Sequence, residues 1–158
     1  MHLPITSDTI SFGSDANSVE PSVRIRLLSC KLERHPLAVS RVVVQFSGPG
    51  TDDVITCQRQ DTACPAGDLR LAALATLDAV SKATRGALHL ELIGAKPMKA
   101  FDTNLVVVAA IARHEGGVTK IIGAAIADDD LLLTTSRATL AAVNRLASPL
   151  LARLLDSR

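Results

Sequence analysis

Residues Ala75-Thr76-Leu77-Asp78-Ala79-Val80 return 63 positions later as Ala138-Thr139-Leu140-Ala141-Ala142-Val143. Moving outward from that segment, Val42-Val43-Val44 returns 64 positions later as Val106-Val107-Val108. Further out still, Arg26-Leu27-Leu28-Ser29-Cys30-Lys31 returns as Glu91-Leu92-Ile93-Gly94-Ala95-Lys96, 65 positions on. One such match can arise by chance. Three in the same order at nearly constant spacing read as a duplication, and the fold follows from what one copy contains.

The first copy starts with a half-buried strand, because Val23, Ile25 and Leu27 alternate with Arg24 and Arg26. Arg34-His35-Pro36 ends or bends it. Arg41–Phe46 is a β-branched second strand, Ser47 to Asp53 a turn, and Val54–Gln60 a third strand. A helix follows to Thr84, with Leu69, Ala73, Leu77 and Val80 on one face and Arg85-Gly86 closing it. The second copy repeats the plan. Leu88, Leu90 and Leu92 alternate with His89 and Glu91, and Leu105–Ala112 is an apolar run. His114-Glu115-Gly116-Gly117 turns the chain into Val118–Ala127, and a last helix opens on Asp128-Asp129-Asp130. Ser148-Pro149 is expected to kink or end that helix, leaving Leu150–Leu155 as a final apolar turn.

The reading is therefore an α+β chain, a tandem duplication of a βββα unit about a pseudo-twofold axis. The helices pack on one face of the sheets. Residues 1–20, rich in Ser, Asp, Asn and Gly, read as an arm with a short strand at Thr9–Phe12; residues 21–86 and 87–158 are the two units of one compact domain. The central strands, Leu105–Ala112 and Ile121–Ala127, are apolar at nearly every position, which predicts burial on both faces. If helices cover one side of a sheet, the other side needs a partner. Self-association, most simply a twofold dimer, is the expectation.

Composition narrows the function classes. Hydrophobic residues make up 47% of the chain, enough for a core, yet aromatics are only 2%. Base stacking on single-stranded nucleic acid needs aromatic platforms, and phosphate neutralisation needs basic excess. The net charge of +1 offers none, so nucleic-acid binding is disfavoured. Cys30, Cys57 and Cys64 form no CxxC pair and read as reduced thiols of a cytoplasmic protein. No apolar run reaches the roughly 20 residues that span a bilayer, so no membrane partner is expected. The four histidines lie apart, and no GxSxG, HExxH or phosphate loop occurs. No metal, cofactor or catalytic residue is therefore assigned.

The segment Gly123-Ala124-Ala125-Ile126-Ala127-Asp128-Asp129-Asp130, followed by Ser136-Arg137-Ala138-Thr139-Leu140-Ala141-Ala142-Val143-Asn144-Arg145-Leu146, resembles the C-terminal regulatory domain of α-isopropylmalate and citramalate synthases. In that family a glycine-containing strand end leads to an acidic pair and a small-residue helix. The resemblance implies two βββα units, a dimer, and binding of an end-product amino acid near the junction of the units. It implies no condensation chemistry, because the catalytic barrel of those synthases has no counterpart in this sequence. Where the family carries a Gly-x-Asp-Ala-x-Gly loop, this chain has Met98-Lys99-Ala100-Phe101-Asp102-Thr103-Asn104.

Candidate ligand contacts follow from that placement. Lys99, Phe101 and Asp102 put a cation, a ring and a carboxylate within one short stretch, which suits a zwitterion. The plainer reading is an ordinary loop with Phe101 in the core. Asp128, Asp129 and Asp130 can meet a metal or an ammonium group, or simply cap a helix; no His or Glu nearby in sequence completes a hard-ligand shell, so no metal is assigned to them. Thr134 and Ser136 can donate hydroxyls to a ligand, or bond their own backbone. The expected function is a non-catalytic regulatory and assembly module, a homodimer sensing a small metabolite such as an amino acid. The rivals are an RNA-binding α+β domain and a small acid–base enzyme using Asp102 or the Asp128–Asp130 cluster.

Overall fold

A computed structural model describes residues 23–49 and 52–158. The expected arm at 1–20, its strand at Thr9–Phe12 and the middle of the turn after Ser47 lie outside the described residues. Eight elements follow in order: β1 (Arg26–His35), β2 (Val39–Ser47), β3 (Val54–Thr62), α1 (Pro65–Ala83), β4 (His89–Ala100), β5 (Thr103–His114), β6 (Gly117–Ile126) and α2 (Leu131–Asp156). The first three strands form one antiparallel sheet in sequential order, and the last three form a second. The chain is thus α+β, βββα written twice.

A flaw repeated in both copies supports the duplication. The β1–β2 register slips between Leu27 and Ser29, and the β4–β5 register slips between Leu92 and Gly94. The extra residues, Leu28 and Ile93, are 65 positions apart, the same offset that aligns these strands in the sequence. A β-bulge puts two residues opposite one, adding local twist. Two bulges at matching positions are one inherited device.

The helices lie between the sheets. α1 packs on β2 and β3 of its own sheet and on β4 of the other, α2 packs on β5, β6 and β1, and the helices touch each other. Each helix is consequently buried around most of its circumference. Between Leu69 and Lys82 of α1, only Arg70, Leu74, Asp78, Ser81 and Lys82 reach water. The shared core joins the copies, with Val42, Val44 and Phe46 from one sheet and Ala110, Ala112 and Ile121 from the other on a common set of helix residues.

Close packing explains the small residues. A methyl group on Gly123 would lie 2.9 Å from the Ala142 Cα, and nearer still to the Ala138 carbonyl oxygen and the Ala142 nitrogen. In the first sheet the matching position is Cys57, opposite Val44 as Gly123 is opposite Val108. So α2 lies closer on β6 than α1 lies on β3. The buried threonines of the helices return their hydroxyls to their own backbones: Thr76 to the Ala72 carbonyl, Thr135 to Leu131 and Thr139 to Thr135, each at 2.7 Å. Each hydroxyl is thus satisfied within its own helix, and Thr76 also meets Ser136 of α2.

The structure moves several boundaries. β1 begins at Arg26, not Val23, although Ile25 is already in the core. α1 begins at Pro65, with the Cys64 Sγ accepting the Gly67 N–H at 3.2 Å as its cap. The expected loop from Met98 to Asn104 is paired strand, and only Phe101 and Asp102 lie outside the β4–β5 ladder. Ser148-Pro149 does not end α2, which runs on to Asp156. Pro149 sits on the helix's exposed side, where a missing backbone bond faces water. Within one chain the second sheet is covered on one face only, and Ile122 and Ile126 on its outer side are exposed.

Candidate functional site

The acidic corner forms where β6 meets α2. Asp130 is the helix cap, its Oδ1 accepting the Leu133 N–H at 3.0 Å. Asp128 Oδ1 accepts the Asp130 N–H at 3.0 Å and the Thr134 hydroxyl at 3.2 Å, and its Oδ2 meets Arg137 Nη1 at 3.2 Å. The Asp130 N–H is the main reason the Asp128 carboxyl is held below the usual carboxylate range, with Thr134 and Arg137 adding to it. This network builds a helix start. Thr134 is fully buried, and its hydroxyl also reaches the Asp130 carbonyl at 2.8 Å.

Ser136 lies elsewhere, in the seam between the helices. Its Oγ accepts from Thr76 at 3.1 Å, and the β1 thiol of Cys30 bonds to it. Burial pushes the Cys30 thiol up to about 11, chiefly by desolvation, with Ser136 opposing and Asp130 adding to the rise. Thr134 and Ser136 are thus closed packing residues that already have partners.

Lys99, Phe101 and Asp102 share the same end of sheet 2 with Asp128, because the Ala127 N–H bonds to the Asn104 carbonyl at 2.8 Å. Lys99 is a strand residue opposite Asn104. Phe101 and Asp102 are the two central residues of the hairpin, with φ of 53° and 57°. That is the left-handed pair a tight hairpin requires and normally fills with Asn-Gly. Phe101 is 98% exposed, not tucked into the core. A bulky residue in strained backbone with its ring in water breaks two local rules at once. Leu37, at the tip of the β1–β2 hairpin, is exposed and left-handed in the same way.

The larger surface feature is the outer face of sheet 2. Val106, Val108, Ala110 and Ala112 point inward to the helices and are buried. The other phase of β5 points away from the helices: Leu105, Val107, Ala109, Ile111 and Arg113. Register places Met98 and Ile126 beside Leu105, Lys96 and Ala124 beside Val107, and Gly94 and Ile122 beside Ala109. Glu91 and Lys120 flank Ile111, and His89 and Val118 flank Arg113. The bulge adds Ile93 to the exposed apolar residues. Ile122 and Ile126 are 71% and 70% exposed.

Sheet 1 shows the contrast. Its matching outward residues on β2 are Val39, Arg41, Val43, Gln45 and Ser47. Their neighbours include Glu33, Lys31, Ser29, Thr56, Gln58 and Gln60. One sheet of a duplicated pair thus has a polar outer face, and the other has an apolar face that none of the described residues covers. A contiguous apolar patch beyond a few hundred Å² marks an interaction surface in a folded protein.

The apolar runs of β5 and β6 point to a face in need of a partner, but Ile93, Ile122 and Ile126 are not among the candidate residues that the sequence offers. The signal was present. β5 is apolar in both phases of its alternation, whereas β2 carries Arg41 and Gln45 in one phase. Among the described residues no group of three or more His, Cys, Asp or Glu side chains is placed to hold a metal ion, and no helix is long and apolar enough to cross a membrane. Comparison with protein-family models and with curated proteins finds no match to this chain.

Proposed function

We propose that this chain is a non-catalytic regulatory and assembly module, which works by holding another molecule rather than transforming one. The observation that carries this reading is the unequal pair of sheets. The inner faces of both sheets already enclose the helices, so the apolar outer face of sheet 2 adds nothing to the core of a single chain. It exposes Ile122 and Ile126 to water instead. A face of that kind finds its use in docking.

The similarity of Gly123–Leu146 to the regulatory domains of isopropylmalate synthases supports the same reading, and so does the βββα duplication. In this proposal a small metabolite reaches the second copy at the end where the Lys99–Asp102 hairpin and Asp128 meet. Lys99 and Asp102 carry the opposite charges a zwitterion needs. The glycine-free hairpin favours contact through side chains over close backbone approach.

Calorimetric titration of the full chain with branched-chain amino acids and related 2-keto acids tests the sensing half. A saturable heat at millimolar concentration or below, lost in Asp102→Asn, is the expected result. No heat with any of them contradicts sensing and leaves assembly alone.

A further inference from the structure

The geometry points to a second copy of this chain as the occupant of the outer face of sheet 2, with the twofold axis running along β5. This rests on the assembly reading above and adds the partner and the alignment.

Size comes first. Three strands about 4.8 Å apart and ten or more residues long, at about 3.3 Å each, present roughly 500 Å² in plan. Side-chain relief raises the accessible area above the plan area. A standard interface takes about 800 Å² from each partner, so the face is on the scale a stable dimer needs.

Charge and apolarity then select the partner and its direction. The face is graded along the strands. One end is the row Met98, Leu105 and Ile126; towards the other end stand Glu91 and Lys120 on either side of Ile111. A twofold axis along β5 keeps strand direction and exchanges β4 with β6. It sets Leu105, Val107, Ala109 and Ile111 against their own counterparts, Met98 against the partner's Ile126, and Ile93 against the partner's Ile122. Lys96 meets the partner's Ala124, and from the edge strand β4 its long side chain can carry the ammonium out to water. Glu91 then faces the partner's Lys120, twice by symmetry. Arg113 falls near the axis, but its guanidinium is already directed to Glu91 at 3.4 Å. Reversing the partner's strands would instead lay Leu105 on Arg113 and Met98 on His89, placing apolar groups on charged or polar ones. A face that is self-complementary in apolar rows and opposite in charge across its own axis fits an isologous pair. Two sheets packed face to face with strands nearly aligned are a standard arrangement.

Sedimentation equilibrium on the full chain between about 1 and 100 µM tests this. The wild type is expected at twice the 16.6 kDa chain mass. Ile122→Lys is expected to give the single-chain mass with unchanged circular dichroism, and a melting temperature that no longer rises with protein concentration. Thr56→Lys, the matching position on sheet 1, should remain a dimer. Glu91→Lys and Lys120→Glu should each weaken the dimer tenfold or more, and the two together should restore it. A wild-type monomer at 100 µM overturns the second copy as occupant while leaving docking of a different protein open. A dimer indifferent to Ile122→Lys overturns the face, and failure of the double variant to recover overturns the alignment.

Discussion

At Gly123 a single hydrogen in place of a methyl group sets how closely α2 lies on β6. A methyl there meets helix backbone, which cannot rotate away as a side chain can. Gly123→Ala is expected to cost about 3 kcal/mol, the upper part of the usual overpacking range. Denaturant unfolding of the variant beside the wild type reads the loss. At Cys30 the linkage runs through pH. The folded thiol holds its proton to about 11, above its ordinary 9.0, so the unfolded chain ionises first. Stability from this group is complete below pH 9 and is lost as pH rises towards 11, by up to about 3 kcal/mol. Cys30→Ala should flatten that part of the profile. Against thiol reagents at neutral pH, exposed Cys64 should react well before buried Cys57 or half-buried Cys30.

Elements were legible in the sequence to the degree that their periodicity was clean. All six strands and both helices were readable from alternation, β-branched runs and the three matching segments. What was not readable has particular causes. Phe101-Asp102 carries none of the Asn-Gly chemistry that announces a two-residue hairpin, so the strands around it read as loop. Pro149 reads as a stop, but it lies on the exposed side of α2, where the helix tolerates a lost backbone bond. Pro149→Ala should therefore raise stability by about 1–3 kcal/mol, with helix content unchanged. Asp130→Ala should lower it by about 1 kcal/mol through loss of the α2 cap. At the β4–β5 hairpin, Phe101→Asn removes left-handed strain from a bulky residue and should raise the melting temperature by a few degrees. Thermal unfolding followed by circular dichroism reads all three. The acidic cluster was legible both as cap and as ligand site, and its hydrogen bonds build the cap. The hydroxyls of Thr134 and Ser136 were expected at a site and are packed inside, because a sequence shows a hydroxyl without showing which helix face is covered.

At the scale of the whole molecule, duplication settles the inside of the protein and leaves the outside to diverge. Both copies must present apolar strands and small helix residues to a common core, so their inner faces stay alike. Nothing requires the outer faces to match. Sheet 1 is polar on its outer face, and sheet 2 carries an apolar face graded along its strands. On this account the second copy is the working copy, and its outer sheet is where the chain meets another molecule. Placing a thiol at Val107, on the proposed axis, in a Cys64→Ser background tests that claim most directly. A mild oxidant should join two chains through a Val107→Cys disulfide and leave Val43→Cys, the same position on sheet 1, unjoined. Equal cross-linking at both positions, or none at Val107→Cys under conditions where the protein is dimeric, would contradict the account.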